Sequence, residues 1–497
     1  MKPAAFSILF LLILALTLLP CGMASAKTKK APKPRLSRTS MKIRVRGSKS
    51  LVVKNGTKKV KWKVSNKKLI SIKTRGKLKQ KAIIKAKKKT GKCYVIARVG
   101  KKKLKCKITV LPKKKVPEPV IVPDDNVIET DTTRAIANTS VRLLSTLMEL
   151  KGEKENVLIS PDSILTAMAM VENGASGETL SEMEKAFGNA TVDQYNQELQ
   201  SLHKRITSSK YITCKMANAV WYNDGVITLK EPYLNTLKDY YGAAPKGAPF
   251  DSSTVDEINQ WVADQTNQRI KSIIDQLDPQ ARMVLANAVY FKGLWTEPYT
   301  STVKRTFTNN NGNKKEVPML ESTENEYLTV NGGDGFVKYY EGGETAFIGL
   351  LPPKGTSPAA FLKTLKGADL IKAYKNRLRS NVMVYTRMPE FSYEYSASMK
   401  ETLMGMGIQQ GFTDDADFSG MCDWPLKIDD VLHKTFIKLD KDGTEAAGAT
   451  AVIMKDCAAY FPGEMIKKTV YLDRPFIYGI IDTRTGLPLF LGIVETL

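Results

Sequence analysis

His203 and His433 are the only imidazoles in a chain of 497 residues, and neither sits in a motif that would employ it as a base. The sequence has no G-x-S-x-G elbow, no H-E-x-x-H helix and no Walker-type phosphate loop. Its six cysteines include no C-x-x-C pair and no Cys/His cluster, so no metal centre is expected. Cys93 and Cys106 flank a predicted hairpin at positions of opposite parity about its turn, which puts both on one face. A disulfide and two free thiols are both open there. Cys214, Cys422 and Cys457 lie far apart. His203 falls on an amphipathic helix and is read as solvated; His433 opens the strand that ends at Leu439. These groups do not make an enzyme, and none calls for a cofactor.

The chemistry with more content is that of the backbone in Asp440–Pro462. This stretch follows a predicted strand, Thr435–Leu439, and the next apolar run starts only near Val470. Ordinary loops are rich in Pro, Asn and Asp. Here Thr444–Thr450 is almost entirely small residues, and the stretch alternates with a period of two. One register holds Thr444, Ala446, Gly448, Thr450, Val452 and Met454 without a charge. The other holds Glu445, Ala447, Ala449, Ala451, Ile453 and Lys455, charged at both ends. A sheet buried on one side accepts such a strand. The segment is loop-like in place and strand-like in pattern.

The elements around it divide into opposite halves. Residues 1–26 read as an export signal: Lys2, an apolar run Ala4–Leu19, and Ala24-Ser25-Ala26 as cleavage site. Cys21 leaves a lipoprotein reading open beside a cleaved signal, although Pro20 spoils its small-residue context. Residues 27–115 contain 36 Lys and Arg and no Asp or Glu, whereas the whole chain has 76 basic and 50 acidic residues. Apart from Lys2, the remainder is therefore net acidic. Such asymmetry marks a domain boundary and two separate jobs. Within Arg35–Val110, short β-type runs such as Val60–Val64 alternate with turn signals such as Asn55-Gly56, the spacing of a small all-β sandwich. The run V-K-W-K-V-S-N, a Gly-Lys segment and a closing K-C-K-I-T-V together resemble the bacterial Ig-like domains of surface proteins, over residues 27–111. Its charge fits polyanions such as cell-wall polymers. With Trp62 and Tyr94 its only aromatics, base stacking has little support and nucleic acid is not expected as partner. Residues 112–127 read as a Pro-rich linker.

The second domain, 128–497, begins with helices: Thr133–Leu150, then a buried helix opened by Ser160 as cap and Pro161 in the first turn, then Ser176–Phe187, Thr191–Ile206 and Val255–Thr266. Met216–Trp221 and Met283–Phe291 are strands. Mostly strands follow, with helices near Pro358–Leu365 and Ala397–Met406, so the domain is α+β. The motifs N-V-L-I-S-P-D-S-I-L-T-A-M-A-M-V-E-N from Asn156, L-A-N-A-V-Y-F-K-G-L-W-T-E-P-Y from Leu285, V-P-M-L from Val317, M-P-E-F from Met388, M-G-I-Q-Q-G-F-T-D-D-A-D-F-S-G from Met406, and the Gly443–Thr450 stretch occur in one order. In these the domain resembles the serpin family.

That resemblance implies a large central sheet, an exposed reactive loop, and suicide inhibition of a serine protease by a monomer. The protease cuts the loop and is held as an acyl ester while the freed loop enters the sheet as a new strand. Roughly sixteen inserted residues at ~3.3 Å each carry it about 50 Å. It also implies a hinge at Gly443, Thr444, Glu445, Ala446, Ala447, Gly448, Ala449 and Thr450. A polar shutter would comprise Ser160, Ser163, Asn287 and His433, and a breach Trp295 and Lys441. At Lys441 the chain departs from inhibitory members, which carry Glu. The scissile bond, fourteen residues past the hinge glycine, falls at Cys457–Ala458. The long segment beyond keeps Met454, Lys455 and Tyr460 open. A small apolar residue before the cut favours elastase-, subtilisin- or chymotrypsin-like targets over trypsin-like ones, with papain-like proteases also open. A non-inhibitory, adhesive serpin fold is the alternative. Either would be secreted or held at the cell surface.

Overall fold

The computed structural model describes residues 32–112, 124–152, 155–242, 245–278, 280–445 and 465–497. The chain divides into two compact units on either side of a point within 113–123. The proposed signal, most of the linker and Ala446–Glu464 lie outside the described residues.

In the first unit the strands are β1 (Arg35–Leu36), β2 (Ser40–Arg44), β3 (Ser48–Lys54), β4 (Val60–Val64), β5 (Ile70–Arg75), β6 (Lys81–Ala86), β7 (Gly91–Val99) and β8 (Lys102–Leu111). They form two four-stranded sheets, ordered β1-β3-β6-β5 and β2-β8-β7-β4. The inward residues of both, among them Ile43, Leu51, Ile84, Val95 and Ile108, share one core. The β7–β8 hairpin turns at Gly100-Lys101, where Gly100 takes φ 59°, the left-handed backbone that a tight hairpin turn needs. Its register pairs Cys93 with Ile108 and Val95 with Cys106. The two cysteines do share a face, but one rung apart. Both are buried free thiols, so the disulfide alternative is not realised.

The second unit runs α1 (Asp131–Lys151), β9 (Val157–Ile159), α2 (Pro161–Glu172), α3 (Gly177–Ala186), α4 (Val192–Thr207), β10 (Ile212–Asn223), α5 (Glu231–Tyr241), β11 (Lys246–Ala248), α6 (Ser252–Gln265) and β12 (Met283–Leu294). It continues with β13 (Thr302–Thr308), β14 (Lys314–Glu324), β15 (Tyr327–Val330), β16 (Gly333–Tyr339), β17 (Thr345–Leu351), α7 (Pro358–Leu362), α8 (Gly367–Lys375), β18 (Val382–Pro389), β19 (Phe391–Ser398) and α9 (Lys400–Gly405). Last come β20 (Asp430–Leu439), β21 (Gly443–Thr444), β22 (Ile466–Tyr471), β23 (Phe476–Asp482) and β24 (Pro488–Val494). Helix α2 is buried along its whole length, as its all-round apolar sequence requires. Two expectations shift. Ala397 and Ser398 belong to β19, because Ala397 pairs with His433 across the sheet, and the helix starts only at Lys400. Asp124–Val127, given to the linker by composition, meet this unit: the Asp124 amide donates to Lys375 O (2.8 Å), and its carboxylate pairs with Arg377 (3.0 Å).

Among the described residues the unit has three sheets, ordered β11-β10-β12-β21-β20-β19, β13-β14-β18-β22 and β15-β16-β17-β23-β24-β9. The first holds the candidate site. Its strands β12 and β20 pair in parallel from Val284–Asp430 to Val289–Thr435. Above that point the two strands are separated by β21, which is antiparallel to both.

Candidate functional site at the central sheet

One rung of this sheet places three polar side chains in line. Asn218 on β10 faces Asn287 on β12, and Asn287 faces His433 on β20. Beneath the rung lies the start of α2. Ser160 caps it by accepting from the Ser163 amide (3.4 Å), and its hydroxyl donates to Leu489 O (2.7 Å). The Ser160 amide donates to His433 Nε2 (3.1 Å). On its other side the ring donates from Nδ1 to Asn287 Oδ1. The Asn287 amide in turn donates to Ser163 Oγ and Asn218 Oδ1, and Ser163 donates to Asn218 Oδ1 (2.7 Å). The ring must therefore be neutral, since one nitrogen accepts while the other donates. Its complete burial agrees and pushes His433 down to about 3.

This bears on pH dependence. The unfolded imidazole titrates near 6.5, so below that value the unfolded chain binds a proton that the folded one refuses. The contribution is intact above about pH 6.5 and is lost as pH falls towards 3. At ~1.4 kcal/mol per pH unit, the loss between pH 6.5 and 5 is about 2 kcal/mol. Denaturant melts at pH 7 and 5 should show this loss in wild type. A His433→Gln variant should be less stable at pH 7 and lack that share of the pH slope.

At the top of the sheet, Gly443 and Thr444 already lie between the two strands that flank them. Thr444 pairs with Gly293 of β12 and with Leu439 of β20. Only glycine fits at 443: a Cβ there would stand 2.1 Å from Gly293 O and 2.9 Å from Leu294 Cα. Thr444 is buried, and its hydroxyl meets Tyr340 OH (2.6 Å). Tyr340 stacks on Trp295 with ring centroids 4.5 Å apart. This agrees with the inward placement of Thr444 read from the alternation. Glu445 differs from expectation. It is buried, takes φ 51°, and donates its amide to Lys438 O (2.7 Å), while its carboxylate pairs with Arg269. Burial holds that carboxyl above its ordinary range, although the guanidinium beside it pulls the other way. The segment after α6 supplies Arg269, so the sheet's outer face is not open to water at this point.

Trp295 is buried and donates from Nε1 to Asp440 O (3.0 Å), and its backbone amide donates to Asp442 O (3.0 Å). Lys441 contributes through its carbonyl, which accepts from the Tyr299 amide (2.9 Å), while its ammonium turns outward to Asp442 (2.8 Å). The Asp442, Asp440 and Glu390 carboxylates act on the Lys441 ammonium and raise its pKa, so this corner is matched to a base at 441. The buried Lys338 beneath Trp295 has its own partner, Glu324, at 3.0 Å.

The structure thus brings Ser160, Ser163, Asn287 and His433 together in one network, and places Trp295 and Lys441 at the other end, beside Gly443, Thr444 and Glu445. Ala446–Thr450 and Cys457–Ala458 lie outside the described residues. Sequence reasoning missed Asn218, Tyr340, Arg269 and Lys338. Asn218 was detectable as an isolated amide between alanines in an apolar strand; the other three are set by contacts distant along the chain. His203 also corrects an expectation: it is mostly buried and not solvated, with Nε2 3.2 Å from Asp162 Oδ2 and 3.3 Å from Thr166 Oγ1. Helix α4 packs this side against α2, which takes most of the ring out of water.

Residues 134–496 match the family model described as serpin (serine protease inhibitor). The chain belongs to the serpin family. A solved thermophilic serpin, tengpin, in its native state superposes with TM-score 0.68 at 37% identity, covering 76% of this chain and 97% of that one. An uncharacterized serpin-like protein of Thermococcus kodakarensis is 36% identical, over 69% of this chain and 81% of its own length. The leukocyte elastase inhibitor A of Rattus norvegicus is 30% identical, over 71% and 96%. The second unit therefore has the serpin fold, with the sheet β11-β10-β12-β21-β20-β19 as its large central sheet.

Proposed function

We propose that this serpin is a suicide inhibitor of serine proteases. The observation that carries the reading is the half-open sheet, with Gly443–Thr444 already seated between β12 and β20 while only Val284–Val289 still pair with Asp430–Thr435. That remaining seam is parallel, the slightly weaker ladder. A strand entering behind β21 would exchange it for two antiparallel ladders. Cleavage at Cys457–Ala458 frees the loop to make that exchange. The protease serine oxygen attacks the Cys457 carbonyl, the peptide bond to Ala458 breaks, and its nitrogen leaves as the amine. The resulting ester is carried with the loop as it inserts, before water can hydrolyse it. The residues of the rung would act as the shutter, exchanging partners as the strands part; Trp295 and the Lys441 carbonyl would act as the breach. The small residues Ala446–Ala449 avoid the burial penalty of charge during entry.

Elastase-, subtilisin- and chymotrypsin-like enzymes are the favoured targets. The basic first unit, an Ig-like module on this reading, would hold an exported inhibitor at the cell surface through a polyanion. A panel of these enzymes, with trypsin- and papain-like ones beside them, should give a band stable to denaturation at the summed mass less that of the released C-terminal peptide. The released peptide should begin at Ala458. Cutting of the loop by every enzyme without any such band would instead leave a non-inhibitory binding protein.

A further inference from the structure

The first unit has no acidic residue between 27 and 115, so none of its cations can find a carboxylate within it. The register shows that they are not spread evenly. On the outer face of the β2-β8-β7-β4 sheet, Lys61, Arg98 and Lys103 stand side by side across three strands. The next rung sets Lys63 and Lys105 on either side of Ile96. In a third, Lys107 adjoins Tyr94, and in a fourth Lys42 and Lys92 flank Thr109. These Lys and Arg side chains are all exposed. The other sheet carries fewer: its outer rungs read Ser48–Lys85–Ser71, Ser50–Ile83–Lys73, Val52–Lys81–Arg75 and Arg35–Lys54.

Like charges directly opposite one another destabilise a sheet by roughly 0.2–1 kcal/mol per pair. A three-strand cationic rung with no carboxylate anywhere in residues 27–115 is a standing cost that a bound anion removes. The cations repeat at ~4.8 Å across strands and ~6.7 Å along them. Resting on the docking reading above, we infer that this face binds a linear phosphodiester polymer without bases, a poly(glycerol phosphate) chain laid over the lysine rungs. Sheet twist of about 20° per strand favours a chain that can bend over a flat bilayer, and the face's large aliphatic, Ile96, is only partly exposed between Lys63 and Lys105. Its one aromatic, Tyr94, is covered by Lys105, whose Nζ lies 3.8 Å from the ring centroid, so it offers no open platform for a base.

The test uses the full chain and two quadruple variants with equal loss of charge: Lys61→Gln, Arg98→Gln, Lys103→Gln and Lys105→Gln against Lys73→Gln, Arg75→Gln, Lys81→Gln and Lys85→Gln. Binding is measured to immobilised poly(glycerol phosphate), to phosphatidylglycerol vesicles and to poly(dT). Wild type should prefer the phosphate polymer, with affinity falling as salt rises. The first variant should bind at least about tenfold more weakly, the second within about threefold, and the first should melt no lower than wild type because it relieves repulsion. Equal losses in both variants, or tighter binding to vesicles or poly(dT), would overturn the assignment of this face. Wild type that binds none of the three probes would instead remove the docking reading itself.

Discussion

On the proposed mechanism, Thr444→Arg should turn this serpin from inhibitor into substrate: a target protease still cuts the loop, but at least about a hundredfold less covalent complex forms per cleavage. Thr444 is buried under Tyr340 and Trp295, and its hydroxyl is matched by the Tyr340 hydroxyl. A guanidinium there would be desolvated without a carboxylate, which costs several kcal/mol. It would meet that cost as the loop enters, before the ester is dragged away. Each ~1.4 kcal/mol on that step shifts the competition between trapping and hydrolysis about tenfold. The intact variant should also lose the β21 pairing and present a freer loop, so cutting itself is not slowed. Densitometry of complex against cleaved chain reads the ratio, and Thr444→Ser should keep it near wild type. An unchanged complex yield in Thr444→Arg would contradict insertion by this route.

Asn287→Ala should cost about 4 kcal/mol and shorten the active lifetime of the intact protein. Asn287 holds His433 on one side and Ser163 with Asn218 on the other. Its removal leaves the ring N–H and its neighbours without partners in a buried rung, at ~1–3 kcal/mol for each orphan. At about 2 °C per kcal/mol for a unit of this size, the melting temperature should fall by roughly 8 °C. The seam from Val284 to Val289 would then part without cleavage. On warm incubation the variant should lose complex-forming activity faster than wild type, with no chain break on a gel. A melting temperature within about 1 °C of wild type would show that the network is not a fastening.

Much of this was legible in the sequence, for local reasons. Ser160-Pro161 reads as a helix cap because cap chemistry spans only a few residues, and the structure shows that cap. The inward set of the hinge follows from period-two alternation, and Thr444 points inward. The illegible parts are those decided by distant partners. Glu445 looked like a charge for the solvent side, yet Arg269 and a left-handed backbone bury it. His203 looked solvated until α4 was packed on α2 and Asp162 came within reach. The departure at Lys441 looked like a weakness, yet Asp442, Asp440 and Glu390 supply the acids that a base there meets. The cysteines failed by a single rung, an offset that hairpin parity does not resolve.

The most direct measurement is the melting temperature of the protein before and after its loop is cut by a protease it does not trap. Insertion would add one antiparallel strand of about fourteen residues, at a net ~1 kcal/mol per backbone hydrogen bond. At about 2 °C per kcal/mol, the cleaved protein should melt on the order of 20 °C higher than the intact one. A cleaved protein that melts at or below the intact temperature would mean that the loop stays out of the sheet, and that this serpin does not inhibit by insertion.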